Sequence, residues 1–195
     1  MKNLFTIENS ALLLIDHQVG TMSWVRSLDL DVIKTNTLVL AKSAQATGMP
    51  VLLTSSMETQ AQGLLFAELQ QVLPDAYKDR IQREGQVDCM TDQNFSAAVE
   101  AMQRKNLIMA GITTDVCIVF PAITAVEAGY QVQVVVDACG SPTKLGDEIA
   151  LRRMEKTGVI LTTTNQLIAE LGQNWSSVNG SKLIAILYED ILSKL

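Results

Sequence analysis

Three residues in this chain have the types that together make sulfur a nucleophile: a thiol, a carboxylate and a permanent cation. Cys117 follows the apolar run 107–112 and the segment Thr113-Thr114-Asp115. A cap by Thr114 places it in the first turn of the next helix, where free amides and the helix dipole favour a thiolate. With Ile118, Val119 and Phe120 beside it, the same residue also fits an inert core cysteine. Asp16 comes directly after Ala11-Leu12-Leu13-Leu14-Ile15, where a buried strand ends. A carboxylate there is a base for a thiol, or only a helix cap or turn residue. Arg83 precedes Glu84-Gly85 at the end of a third candidate strand, and reads as a site cation or as a solvated surface charge. Lys78 is the nearby alternative, but it lies about 17 Å back along an extended strand. None of the three is specific alone. Together they put an acid, a cation and a thiol at the carboxyl ends of three strands, where open α/β sheets bind ligands.

The elements that must position them are short apolar runs alternating with longer helical patterns. The spacing predicts strands over 11–15, 50–54, 77–82, 107–112, 131–136 and 158–162. Most are apolar on both faces, as strands of a covered parallel sheet are; 77–82 is polar and reads as an edge. Helices are predicted over 30–47, stopped by Gly48-Met49-Pro50, and over 95–103, preceded by Asp92 and Asn94. Two more span 115–128, ending at Gly129, and 145–157, ending at Gly158. A last helix over 181–195, capped by Ser181, is apolar at Leu183, Ile184, Ile186, Leu187 and Ile191. That stripe is broad enough to pack on its own domain or to make an oligomer contact. Strand–helix alternation of this length predicts one α/β domain over residues 1–195.

Composition narrows the function classes. The chain has 195 residues, 48% of them hydrophobic and 18% charged, with a formal net charge of -6. No basic stripe supplies the electrostatic term that nucleic-acid binding needs. No apolar run approaches the roughly 18 residues of a membrane span. The N-terminus carries no signal-peptide pattern, and three cysteines without a CxxC spacing read as reduced thiols, so the expected location is cytoplasmic. The one histidine, His17, excludes a histidine-rich metal site. Without GxGxxG or GxxxxGK[ST] the dinucleotide and P-loop readings lose the glycines that let backbone approach phosphate, and no GxSxG elbow is present.

At these residues the chain resembles the isochorismatase-like cysteine hydrolases, particularly the YcaC-type branch. The resemblance rests on Leu13-Leu14-Ile15-Asp16-His17-Gln18, Thr54-Ser55-Ser56-Met57-Glu58-Thr59, Ala110-Gly111-Ile112-Thr113-Thr114-Asp115-Val116-Cys117 and Phe120-Pro121-Ala122. It continues through Glu127-Ala128-Gly129 and Val136-Asp137-Ala138. It implies a three-layer α/β/α fold with a six-stranded parallel sheet in order 3-2-1-4-5-6, whose winding reverses between strands 1 and 4. It also implies a catalytic set of Asp16, Arg83 and Cys117, a cis peptide at Ile112–Thr113, and an oxyanion hole from the Thr113 and Cys117 amides. Substrate contacts would come from His17, Gln18, Trp24, Ser55, Met57 and Phe120. Most of the family has lysine where this chain has Arg83; an arginine stays charged and supplies only field and hydrogen bonds. Nicotinamidases, close relatives, carry a histidine-rich metal site that one histidine cannot build.

The function implied is covalent hydrolysis of a small amide, imide or related C–N bond by a homo-oligomer that needs no metal or cofactor. The partner is a small molecule, not nucleic acid or membrane. Two further readings stay open: a scaffold or ligand-binding protein that keeps the pocket, and a redox sensor pairing Cys117 with Cys139.

Overall fold

A computed structural model describes residues 4–194. Six parallel strands form one sheet in the order β3-β2-β1-β4-β5-β6. They are β1 (Ser10–Ile15), β2 (Val51–Ser56), β3 (Ile81–Arg83), β4 (Asn106–Gly111), β5 (Gln131–Val135) and β6 (Ile160–Thr162). Every residue of β1 and β4 is buried, which is why both read as unbroken apolar runs. The helices are α1 (Val19–Met22), α2 (Leu30–Thr47), α3 (Ala67–Val72), α4 (Pro74–Lys78), α5 (Gln93–Ala101), α6 (Val119–Glu127), α7 (Lys144–Lys156), α8 (Thr164–Gly172) and α9 (Val178–Asp190). They flank the sheet; α2, α8 and α9 pack on one another, and α6 packs on α7.

Local chemistry sets the ends of these helices. Asp29 caps α2 by accepting from the Asp31 amide, and Gly48 ends it in the left-handed region at φ 71. Asp92 caps α5 through the Asn94 and Phe95 amides, and Thr143 caps α7 through the Gly146 amide. At the centre of the sheet Gly111 has no substitute. A Cβ there would sit 2.2 Å from the Ile15 carbonyl oxygen, so the close pairing of β1 with β4 requires glycine.

The structure departs from the sequence expectation in several places. The strand expected over 77–82 begins as helix and is strand only at its end: Pro74 at the first helical position and Asp75 in the first turn start α4, which runs to Lys78, and only Ile81–Arg83 pairs with β2. Lys78 therefore closes a helix and is no alternative to Arg83. The segment 114–118 is a π-turn leading into α6, and Thr113 at its start makes no side-chain cap bond. The expected Thr114 cap is not formed; its hydroxyl is buried without a partner. The last helix starts earlier than expected, because Ser177, not Ser181, accepts from the Gly180 amide. Its Leu183 and Leu187 are buried, and Ile184, Ile186 and Ile191 pack against the core, as the own-domain reading has it. Residue 195 lies outside the described residues.

Candidate functional site

Strand register brings the three candidate residues to one level. Ile15 pairs with Thr54 on one side and Gly111 on the other, and Ser56 pairs with Arg83. Asp16 and Met57, the residues that leave β1 and β2, both adopt left-handed backbone at φ 55 and 49. For methionine that conformation is uncommon, and the turn it makes swings the chain around the crevice. The crevice lies at the carboxyl end of β1 and β4, where the sheet order reverses direction.

Arg83 closes the distance that strand spacing alone leaves. Two strands separate its backbone from that of Asp16 by about 10 Å. Its side chain crosses beneath β2: Nε donates to Thr54 Oγ1 at 3.0 Å, Nη1 donates to the Gln86 carbonyl, and Nη2 lies 2.5 Å from both oxygens of Asp16. The pair is sealed from solvent, with side chains 0% and 2% exposed. Even so, burial outweighs the arginine's charge and lifts the Asp16 carboxyl above its ordinary value.

Cys117 and Asp16 line the same cavity, and the Asp16 carboxyl and the Thr113 backbone both bear on the acidity of the thiol. Burial and the Asp16 charge push its thiol up to about 12, against the weaker pull of the amide and Arg83. This corrects the expectation of a thiolate stabilised by a helix N-terminus. The residue sits in a π-turn, largely buried and near a carboxylate, so at rest the sulfur keeps its proton. The Ile112–Thr113 peptide is cis. Asp16, Thr113 and Cys117 line a cavity of about 280 Å³, walled by Trp24, Met57 and Val87 among others.

An acid and a thiol on one cavity, with a buried cation behind the acid, invite comparison with known proteins. Residues 10–166 match the family described as Isochorismatase domain. The chain belongs to the isochorismatase family. The Escherichia coli protein named probable hydrolase YcaC is 38% identical over 167 residues, 86% of this chain and 79% of that one. A solved YcaC from Pseudomonas aeruginosa, with hexane-2,5-diol and covalent acrylamide, superposes with TM-score 0.92 at 34% identity, covering 99% of this chain and 94% of that one. The Escherichia coli YcaC structure, an octameric hydrolase of unknown specificity, gives the same TM-score and identity over 99% and 93%. Within the isochorismatase family the chain is a hydrolase of the YcaC type.

Of the residues expected to contact substrate, Gln18, Trp24 and Met57 line the cavity, and His17, Ser55 and Phe120 do not. Gln18 is also a strut. Its Oε1 accepts from the Ser56 amide at 2.8 Å, and its Nε2 donates to the Ser56 carbonyl at 2.9 Å and to the Gly63 carbonyl. His17 turns into the core, where Nε2 donates to the Ala138 carbonyl at 3.0 Å and burial lowers its pKa to about 4. Ser55 is buried and donates to Glu58. Phe120 packs against the core with the Arg153 guanidinium over its ring at 5.2 Å. Among the described residues no group of three or more His, Cys, Asp or Glu side chains is placed to hold a metal ion.

The sequence reading missed Asp115, Val116 and Pro142 on one wall and Gln86 and Val87 on another. Asp115 and Val116 stand directly before Cys117, so the motif itself carried them. Gln86 and Val87 follow Arg83 in an irregular loop, and no periodicity marks which way such residues face.

Proposed function

We propose that this hydrolase cleaves a small amide, imide or related C–N bond through a thioester on Cys117. One observation carries the reading: Cys117 and Asp16 line one cavity, with Arg83 fixed behind the acid. A thiol that rests protonated needs a base at the moment of attack. Asp16, held by Arg83 yet made more basic by burial, is that base. Its carboxylate takes the thiol proton as sulfur attacks the carbonyl carbon. The Thr113 and Cys117 amides receive the charge on the carbonyl oxygen. When the C–N bond breaks, Asp16 passes the proton to the leaving nitrogen. Water then attacks the thioester, releasing the acid and restoring the thiol. Arg83 never exchanges a proton in this scheme; it holds the carboxylate in place.

The covalent acrylamide in the Pseudomonas relative supports the choice of small amides as first compounds to try. The octamer of the Escherichia coli relative supports a homo-oligomer here. Less supports the redox alternative: the Cys139 sulfur is buried, donating to the Val135 carbonyl at 3.2 Å and accepting from the Gly111 amide at 3.4 Å. The test is trapping. Incubation with a panel of small amides, followed by acid quench and intact mass, should show an acyl adduct on Cys117 and steady release of product. Cys117→Ala should show neither. Turnover that survives Cys117→Ala would end the proposal, and binding without turnover in both proteins would favour a ligand-binding scaffold.

A further inference from the structure

One residue on the cavity wall stands in a conformation that its type disfavours. Met57 leaves β2 at φ 49, in left-handed backbone. A residue other than glycine adopts it rarely, and keeps it only where the surroundings hold it there. The Met57 side chain spans two loops that wall the cavity, 57–63 and 85–87. Met57 and Gln62 line it from the first loop, Gly85, Gln86 and Val87 from the second. A Cβ on Gly85 would meet the Met57 Sδ at 3.2 Å, and Gln62 Nε2 lies 3.7 Å from the same sulfur. Gly85, at φ 109, has no side chain to push that sulfur away.

Both loops are tied to one ion pair. Arg80 grips Glu58 with two arms of its fork: Nε donates to Oε1 at 2.6 Å and Nη2 donates to Oε2 at 2.8 Å. The side chains are only 12% and 9% exposed, and two-point geometry largely out of water makes such a pair stronger than a surface one. Glu58 is the residue after Met57, and it also accepts from Ser55 Oγ at 2.7 Å. Arg80 is braced from its own side. Its Nη1 donates to the Tyr77 carbonyl at 2.7 Å, and its guanidinium lies 4.7 Å from the centre of the Tyr77 ring. The Tyr77 hydroxyl donates in turn to the Leu65 carbonyl at 3.1 Å. The first loop is therefore fastened near both ends, at Glu58 and at Leu65. Arg80 directly precedes β3, whose last residue, Arg83, accepts from the Met57 amide at 2.9 Å and leads into the second loop.

We propose that the Arg80–Glu58 pair holds the Met57 side chain between these loops and so limits the size of the molecule that reaches Cys117. The proposal rests on the cysteine-hydrolase reading above and adds a size limit to its substrate class. Arg80 and Glu58 do not line the cavity, so both are positioning residues whose effect passes through Met57. With the pair cut, the turn at Met57 loses the anchor beside it, the two loops part and the passage widens. The substrate need not be known for a test, because Cys117 itself reports what enters. Cys89 and Cys139 are 0% and 1% exposed, so labelling of the folded protein reads Cys117.

Two uncharged maleimides serve as probes, N-methylmaleimide and the bulkier N-cyclohexylmaleimide. The sulfur adds to the C=C bond: one C–S bond forms, the thiol proton ends on the neighbouring carbon, and nothing leaves. Rates are read by intact mass with Cys117→Ala as the blank, and divided by the rate of each reagent with a simple free thiol. The native protein should favour the methyl reagent by about tenfold or more, as displacing a packed side chain implies. Glu58→Gln and Arg80→Met should each cut that preference several-fold. Arg80→Lys keeps the charge but not the fork and should cut it less; this mildest change carries the test if Arg80→Met does not fold. Met57→Ala should raise the rate of the cyclohexyl reagent, and adding Glu58→Gln to it should raise that rate no further. A pair that merely stiffened the fold would admit the large reagent when cut, whatever stood at that position. A preference untouched by Glu58→Gln and Arg80→Lys, a further rise in the double variant, or equal rates for the two reagents in the native protein would overturn the size limit while leaving Cys117 a nucleophile. Failure of even the methyl reagent to reach Cys117 would remove the hydrolase reading, and this inference with it.

Discussion

The turns that follow β4 and β5 each carry a cysteine, and the two thiols are alike in one respect: burial pushes both to about 12. Everything else about them differs. Cys117 borders a cavity and faces the Asp16 carboxyl. Cys139 is sealed between β4 and β5 with both of its hydrogen bonds made to backbone. The adjacent residues Asp16 and His17 serve the two turns separately, the acid facing Cys117 and the imidazole donating to Ala138, the residue before Cys139. A lowered pKa is therefore not what separates nucleophile from packing residue here. Access and a neighbouring base are.

The comparison is broken most directly at Asp16. With Asp16 in place, the proton has an acceptor at hand, and iodoacetamide should alkylate Cys117 at a rate that is nearly flat from neutral to mildly alkaline pH. In Asp16→Asn the rate should fall by about 100-fold near neutrality, the scale of a lost general base. It should then rise about tenfold per pH unit, because attack now waits on free thiolate. The same variant leaves the Arg83 charge buried without its partner and should lose about 3 kcal/mol in urea unfolding. An unchanged alkylation profile would erase the distinction between the two thiols.

His17 tests the other turn through pH. Its folded pKa of about 4 lies below the ordinary 6.5, so between those values the unfolded chain takes up a proton that the folded protein refuses. Its contribution is present in full above pH 6.5 and is lost as the pH falls toward 4. The loss approaches about 3 kcal/mol, from some 2.5 pH units at 1.36 kcal/mol each. Denaturation midpoints at pH 7 and 4.5 should therefore separate more widely for the native protein than for His17→Gln. Equal separations would show that the imidazole does not titrate as its burial implies. The smallest effect belongs to Cys139→Ala, which should cost about 1 kcal/mol of packing and leave alkylation of Cys117 within about twofold. A large fall in that rate would mean that the second thiol takes part after all.

Much of this arrangement was legible in the residues. Asp16 and Cys117 stand immediately beyond apolar runs that have to be central strands, and open α/β sheets bind at such ends. What failed to show was direction. Asp16 leaves β1 in left-handed backbone, and the turn it makes sends Asp16 and Gln18 to the crevice and His17 into the core, which no strand or helix period predicts. Ser55 and Ser56 divide the same way, Ser56 lining the cavity and Ser55 bonding Glu58. The edge strand was misjudged because three residues are too short to carry a period of their own, and Pro74 starts a helix where the polar pattern suggested extension.

The sequence by itself determined the layered α/β architecture, the strand order through its family motifs, and the three residue types at the switch point. Apolar periodicity and cap chemistry are local properties that a linear reading captures. Only the tertiary structure decided that Arg83 crosses beneath β2 to grip Asp16, that Cys117 keeps its proton at rest, and that His17 turns into the core. Each of these depends on how much water is excluded and which charge lies across the gap, and those are sums over neighbours that are distant in the chain.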